Sequence, residues 1–204
     1  MSSFVSGAAA VPAEAPRRRL SSRQAATVER LVDAAVEELR AAGFEGLTVR
    51  NVARRAEVAA ATAYTYFTSK EHLVTEVFWR RIRSLPEPEA APDREPLERT
   101  VDTLAEFALV AVDEPELAAA CSVAMLAADP DVKLLRDRIG AEMRRRLLLA
   151  LGDDVDRTVL TTLELTVTGA LVQAGMGHLS YTDLPDQFAA VARLVLGDPE
   201  EAPR

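Results

Sequence analysis

Apolar side chains recur along nearly the whole chain at the three- and four-residue spacing of an α-helix, and the alternation typical of a β-strand is almost absent. The first apolar stripe comprises Val28, Leu31, Val32, Ala35 and Leu39. It predicts a first helix that begins at Ser21, where residues 21–24 read as a capping box, and that ends at Gly43. The chain is therefore expected to open with a long amphipathic helix.

Two short helices, joined by a tight turn, are predicted next. Thr48 can cap the first of them, and the turn at residues 57–59 leads into the second, which runs to about Tyr66. A helix–turn–helix of this kind places its second helix in the major groove of DNA. This part of the chain is therefore the candidate DNA-binding element.

A fourth helix and then a break follow. Thr68 to Glu71 is a second capping box, and it predicts a helix with Val77 and Phe78 on its apolar face. Residues 84–93 contain three prolines and cannot continue a helix. We expect this stretch to be a linker.

Five further helices are predicted behind the linker, over residues 94–112, 115–127, 131–151, 155–178 and 184–196. Their candidate start signals include Asp93, Asp129, Asp154 and Asp183, and Gly152 is a stop signal. The pattern predicts an all-α protein of about nine helices. It has a disordered, basic-ended tail over residues 1–20, a helix–turn–helix domain with its connecting fourth helix over residues 21–83, and a helical domain over residues 94–204.

Composition narrows the class of protein further. The chain has 204 residues, of which 49% are hydrophobic and only 5% aromatic, which suits packed helices. The single cysteine, Cys121, excludes an internal disulfide framework and fits a reducing compartment, so a cytoplasmic location is expected. No apolar run is long enough to span a bilayer, so no membrane partner is expected.

The net charge of −8 is unevenly distributed. Residues 16–83 carry 13 Lys and Arg against 8 Asp and Glu, whereas residues 84–204 carry 11 against 23. A basic head on an acidic body is the asymmetry expected of a protein that contacts DNA with one end only.

The segment from Ala42 to Leu73 resembles the DNA-binding signature of the TetR family of transcriptional regulators. The resemblance rests on Gly-Phe at residues 43–44, Thr-x-Tyr-x-Tyr-Phe at residues 62–67 and Ser-Lys-Glu-x-Leu at residues 69–73. The rest of the chain resembles the family in helix number and order. The resemblance implies a DNA-binding head and a helical, ligand-binding and dimerising body.

The resemblance also implies roles for matching positions. The DNA-contacting residues would be Thr48, Arg50, Ala60, Ala61, Thr62, Tyr64, Thr65, Tyr66 and Lys70, with Arg19 in a basic arm. Thr48 and Lys70 would contact phosphates, and Arg50 would reach a base edge, with guanine as the expected base. The alternative for Tyr64, as for Phe67, is a mainly structural place in the core.

Three positions depart from the family pattern. Glu57 stands in the turn where glycine is usual, Ala59 replaces a serine cap, and Ala61 stands where glycine is common. A residue other than glycine in the left-handed conformation costs about 1 kcal/mol. These departures bear on the contact geometry rather than on the fold.

Dimerisation is expected because a single short recognition helix reads too few base pairs. Helix 155–178 is apolar on two faces and needs two partners, its own core and a second copy of the chain. The predicted interface comprises Val159, Thr162, Thr166, Gly169, Met176, Phe188, Val191 and Val195. The alternative is that both faces are buried within one monomer.

A ligand pocket is expected between the helices of the body, by resemblance to the family. The candidate lining residues are Phe107, Cys121, Met125, Met143, Leu147, Thr161, Glu164 and Thr168. Flexible apolar side chains suit a small lipophilic effector. The alternative for the polar stripe at Thr161, Glu164 and Thr168 is a simple solvated face.

The remaining chemistry is sparse. His72 and His178 lie far apart without ligand spacing, so no metal site and no cofactor are expected, and His72 is read as a surface histidine. The run Arg144 to Arg146 is read as a solvated face. No nucleophile–base pair or phosphate loop supports an enzyme.

The sequence favours a sequence-specific regulator, most simply a repressor that a small effector releases from a palindromic operator. An activator of the same family, a helical enzyme and a protein-binding adaptor are the alternatives.

Overall fold

The computed structural model describes residues 22–88, 93–152 and 155–197, and these residues form an all-α protein without β-strands, as predicted. Nine α-helices and a short 3₁₀ turn at Tyr181–Asp183 make up the described ranges. The helices are α1 Ser22–Gly46, α2 Val49–Arg55, α3 Ala60–Tyr66, α4 Lys70–Ser84, α5 Pro96–Asp113, α6 Pro115–Ala124, α7 Pro130–Leu151, α8 Arg157–Gly175 and α9 Leu184–Leu196. We call α1–α4 the head and α5–α9 the body.

Several helix ends confirm the expected local signals. Thr48 caps α2 by accepting a hydrogen bond from the Asn51 backbone amide, and Asp129 caps α7 in the same way. Gly152 ends α7 with a positive φ of 91°, and Gly43 interrupts α1 with a φ of 66°.

Other helix ends differ from the prediction by one to three residues, and α6 and α8 end three residues earlier than predicted, at Ala124 and Gly175. The cap of α4 is Ser69 rather than Thr68, because the Ser69 hydroxyl accepts from the His72 amide. The cap of α8 is Asp156, and α5 begins at Pro96, two residues later than predicted. The predictions for the tail, Arg19, the Ser21 cap and Asp154 lie outside the described residues.

Two buried clusters hold the molecule together, and the first crosses from head to body. It combines the apolar faces of α1–α4 with Phe107, Cys121 and Ile139 of the body. The second joins α5, α7, α8 and α9 around Leu104, Leu163 and Phe188. The hydrophobic core therefore does not divide where the sequence suggests a linker.

Arg146 lies in the protein interior and holds the start of that linker through hydrogen bonds. Only 2% of its side chain is exposed, and its guanidinium donates to Glu142 at 2.8 Å and to the Leu85 carbonyl at 3.2 Å. Arg145 and Arg144 form ion pairs with Glu142 and Glu164 respectively. The interpretation of residues 144–146 as a solvated run was therefore wrong for Arg146, which is a structural residue of the interior.

Within the described ranges no helix is long and apolar enough to cross a bilayer. The same ranges contain no cluster of His, Cys, Asp and Glu that could hold a metal ion.

Candidate DNA-binding surface and ligand cavity

The turn between α2 and α3 keeps the left-handed backbone that glycine usually supplies. Glu57 has a φ of 54°, and among the described residues it is the one non-glycine residue with a positive φ. The Val58 amide donates to the Ala53 carbonyl at 2.9 Å and closes the turn, while Val58 packs against the core. The fold thus tolerates Glu57 at a local cost of about 1 kcal/mol.

Helix α3 is anchored by two buried side chains. Ala63 is fully buried and Phe67 is 3% exposed, so the opposite face of this short helix points outward. Tyr64 lies on that outer face and is 50% exposed, with Thr62 and Thr65 also exposed. Phe67 is thus a core residue, whereas Tyr64 is available at the surface. Ala59 makes no side-chain cap, as its type predicts.

Helix α2 contributes two exposed guanidinium groups beside α3. Arg50 and Arg54 lie one helical turn apart, and neither forms an ion pair with any described residue. Arg55 points to the other side, where it donates to Glu38 at 2.8 Å. Arg54 was not among the predicted contacts, although its four-residue spacing from Arg50 is visible in the sequence. We call Arg50, Arg54, Thr62, Tyr64 and Thr65 the recognition face.

The Lys70 ammonium is held inside the head in this structure. It donates to the Phe44 carbonyl at 3.0 Å and lies 4.2 Å from the centre of the Phe44 ring. It thereby joins the end of α1 to the start of α4. A phosphate contact by Lys70, as the sequence suggests, would have to share this ammonium group with Phe44.

The start of α4 is tied to the start of α7 by a cluster of hydrogen bonds. The Ser69 hydroxyl donates to Asp129 at 2.7 Å, and the Thr68 hydroxyl donates to Asp131 at 3.2 Å. The hydrogen bond from Ser69, together with two backbone amides, holds the pKa of Asp129 below its usual range. His72 lies between Phe67 and Asp131 with 15% of its side chain exposed, so it is a junction residue rather than a surface histidine.

A cavity of about 270 Å³ lies between α4, α6, α7 and α8. Cys121, Met125, Met143 and Thr168, four of the predicted pocket residues, line it. Burial raises the pKa of the Cys121 thiol, which is therefore an apolar wall group rather than a reactive thiolate. Phe78 of α4 also lines this cavity and was not predicted.

The other four predicted pocket residues lie elsewhere. Phe107 belongs to the first core cluster and Leu147 to the second. Thr161 is exposed, and Glu164 accepts a hydrogen bond from Arg144 at 2.8 Å. Helical periodicity placed these residues on inward or polar faces, but it could not specify which inward face borders the cavity.

A larger cleft of about 550 Å³ separates head and body on another side. Its charged lining residues are Arg40, Arg81, Glu106, Asp113 and Glu114. Arg81 donates to Glu114 at 2.6 Å and 3.0 Å, and burial raises the pKa of Glu106. Because ion pairs occupy this cleft, it is less suited to a lipophilic ligand than the smaller cavity.

The outer face of α8 and α9 carries large exposed apolar side chains. Leu165 is 67% exposed, Met176 57% and Leu194 83%. Of the predicted interface residues, Gly169 and Met176 lie on this face, and Val159, Thr162, Thr166, Val191 and Val195 are half-buried. Phe188 is 1% exposed and packs in the core of its own chain, so it is not a surface residue. Leu165 and Leu194 were not predicted.

The recognition face, the turn at Glu57 and the buried anchors of α3 define a helix–turn–helix DNA-binding protein with a helical body. The sequence profile of the family described as "Bacterial regulatory proteins, tetR family" matches residues 31–77. An HTH-type transcriptional regulator of Mycobacterium tuberculosis is 44% identical over 181 residues, which cover 88% of this chain and 84% of that protein. The chain belongs to the TetR family of bacterial transcriptional regulators.

Two further relatives agree with this assignment. The HTH-type transcriptional repressor KstR of Rhodococcus jostii is 29% identical over 192 residues, covering 90% of this chain and 89% of that protein. The crystal structure of a TetR transcriptional regulator from Rhodococcus sp. RHA1 superposes with a TM-score of 0.69 at 25% identity, covering 86% of this chain and 98% of that one. The likeness thus extends through the body as well as the head.

Proposed function

We propose that this regulator is a dimeric, sequence-specific repressor that a small lipophilic effector releases from a palindromic operator in the cytoplasm. The proposal rests on the position of Phe78. This residue of α4 lines the apolar cavity of the body, while the same helix begins at Lys70 beside the recognition helix. One rigid element therefore links the candidate ligand site to the candidate DNA-binding surface.

The recognition face supplies the DNA contacts in this proposal. Arg50 and Arg54 carry charges that no described carboxylate neutralises, and Tyr64, Thr62 and Thr65 add hydroxyl groups next to them. Ala60 and Ala61 are small enough to let the backbone of α3 approach the groove closely. Thr48, Tyr66, Lys70 and, in the tail, Arg19 complete the proposed contacts.

The exposed apolar face of α8 and α9 supplies the proposed dimer contact. Leu165, Met176 and Leu194 would leave water when two copies pair about a two-fold axis, and Gly169 permits close approach of the helices. Two recognition helices related by this axis would read two half-sites, so the operator would be palindromic.

Effector binding would act through α4. A ligand that fills the cavity contacts Phe78 and moves α4 against the hydrogen bonds that join Ser69 to Asp129. A shift at this end of α4 changes the spacing of the two heads, and the dimer no longer matches both half-sites. No catalytic step and no cofactor enters this proposal.

The test begins with selection of bound fragments from sheared genomic DNA of the source organism, followed by fluorescence anisotropy on the most enriched fragment. Binding should exceed that of a scrambled duplex, weaken steeply with salt and fall on Tyr64→Ala. Arg138→Ala, which changes an arginine of the body, is the matched control.

Sedimentation velocity tests the dimer. It should show a dimer that Leu165→Glu disrupts and Leu126→Glu leaves intact. Failure to enrich any fragment would refute the proposal.

A further inference from the structure

The cavity wall offers almost no polar group to a ligand. The Ser122 hydroxyl already donates to the Ala118 carbonyl at 2.9 Å, and the Thr168 hydroxyl donates to the Glu164 carbonyl at 3.0 Å. Both bonds close within their own helices, and the Cys121 thiol is fully buried and neutral. The remaining walls are aliphatic, aromatic or thioether side chains, so most of a ligand here must be apolar.

Arg136 is the exception. It is the one lining residue with a charged side chain, and it approaches the cavity from α7. Its Nη1 atom donates to the Met125 carbonyl, which lies at the end of α6. This bond occupies one of the five N–H donors of the guanidinium group and leaves the others available.

The Arg136 charge has no carboxylate partner among the described residues, whereas four other arginines on the body side do. Arg94, Arg144, Arg145 and Arg146 all form ion pairs with Asp or Glu. Leu126, next to Met125, is 81% exposed and also lines the cavity, so this side opens to solvent. An anion could therefore reach Arg136 from solvent while an attached chain enters the cavity.

We propose that the effector is an amphipathic anion, whose apolar part fills the cavity and whose carboxylate or phosphate pairs with Arg136. The inference deepens the proposed function, because it assigns a chemical class to the ligand of the same cavity. The planar guanidinium fork suits both kinds of oxyanion. A volume near 270 Å³ is close to the lower limit of about 300 Å³ for pockets of drug-sized ligands, so the apolar part should be short.

The test uses isothermal titration calorimetry of the full chain with decanoate, decyl phosphate, decan-1-ol and decylamine. These probes share one apolar chain and differ in the charge of the head. Decanoate or decyl phosphate should bind about tenfold more tightly than decan-1-ol, and decylamine should bind most weakly. The better of the two anions identifies the head group.

Variants separate the charge of Arg136 from its role at the end of α6. Arg136→Gln should lower anion affinity to that of decan-1-ol and leave decan-1-ol binding unchanged. Arg136→Lys should retain part of the preference for anions, and Arg138→Gln, on the same helix but outside the cavity lining, should retain all of it. Fluorescence of the single tryptophan, Trp79 of α4, checks that each variant is folded and reports movement of that helix.

Three outcomes would overturn the inference: equal affinity for decanoate and decan-1-ol, an equal loss of both on Arg136→Gln, or no binding of any probe at millimolar concentration. Operator binding without any probe is measured separately by anisotropy. A wrong ligand class leaves that signal intact, whereas a wrong assignment as a DNA-binding repressor abolishes it. The two failures are therefore distinguishable.

Discussion

The recognition face and the junction between head and body use arginine in opposite ways. On the recognition face, Arg50 and Arg54 are exposed and have no ion-pair partner among the described residues. At the junction, Arg81 binds Glu114 with two hydrogen bonds, and Arg146 is buried among Glu142 and backbone carbonyls. The same side chain is a free cation in one region and a structural cross-link in the other.

This difference shows which arginine side chains have a charge available for binding DNA. A paired, buried arginine has already lost much of its water, and its neighbours compensate the charge, so removing it leaves buried groups without partners and destabilises the fold. An unpaired, exposed arginine contributes little to folding but attracts phosphate and can donate to a base. Substitutions in the two regions should therefore separate stability from DNA affinity.

The largest effect is expected for Arg146→Ala. Glu142 keeps its ion pair with Arg145, but the Glu106 carboxylate and the Leu85 carbonyl lose the buried guanidinium that they face. Breaking a buried pair in this way typically costs about 3–5 kcal/mol of unfolding free energy. Urea denaturation measures this loss. Arg144→Ala is the control, because the Arg144–Glu164 pair is 45% and 22% exposed and should contribute at most about 1 kcal/mol. Similar losses in both variants would remove the contrast between buried and exposed arginines.

Next in size is Arg50→Ala. It should weaken binding to the selected operator by about 1–3 kcal/mol and leave the urea midpoint unchanged, because Arg50 has no described partner to lose. Fluorescence anisotropy at fixed salt measures the affinity, with Arg138→Ala as the control. A fall in stability as large as the fall in affinity would place Arg50 among the structural residues instead.

A smaller effect is expected for Asp129→Ala. Loss of the α7 cap should reduce unfolding free energy by about 0.5–2 kcal/mol at pH 7. Because the pKa of Asp129 is lowered in the folded state, its contribution is present above the ordinary Asp value near 3.9 and is lost as pH falls through the lowered pKa. Urea midpoints of variant and wild type should therefore converge at low pH. A gap that persists once the pH is low enough to protonate this carboxylate would exclude its charge as the source.

The smallest expected effect is a gain in the free energy of unfolding. Glu57→Gly should raise unfolding free energy by about 1 kcal/mol, since glycine adopts the left-handed backbone without strain. Thermal unfolding measures the gain. Glu57→Ala separates strain from charge, because it keeps the Cβ and removes the carboxylate. Tighter DNA binding in both variants, with stabilisation only in the glycine variant, is the expected result.

The sequence predicted features that neighbouring residues determine. The helical spacing, the Thr48 and Asp129 caps and the Gly152 stop all depend on residues a few positions apart. On the recognition helix, the signature located the contact candidates, and the structure adds that Phe67 lies inside while Tyr64 lies outside.

What the sequence could not predict depends on distant pairing. Arg146 contacts Leu85, 61 positions earlier, and no local pattern distinguishes it from the exposed Arg144 beside it. Likewise Phe78 and Arg136 meet at the cavity only because α4 and α7 pack together. Leu165 is absent from the predicted interface because the apolar line that the spacing defines, through Val159, Thr162 and Thr166, runs along half-buried positions beside it.

The first core cluster has a consequence for protein engineering. Because α1 and α4 share buried contacts with α6 and α7, the head and body should melt in one cooperative transition rather than as independent modules. An exchange of operator specificity between family members by swapping whole heads would cut through this interior and mismatch its side chains. A graft confined to the outward residues of α2 and α3 would leave it intact, which makes the recognition face the natural unit of transplantation.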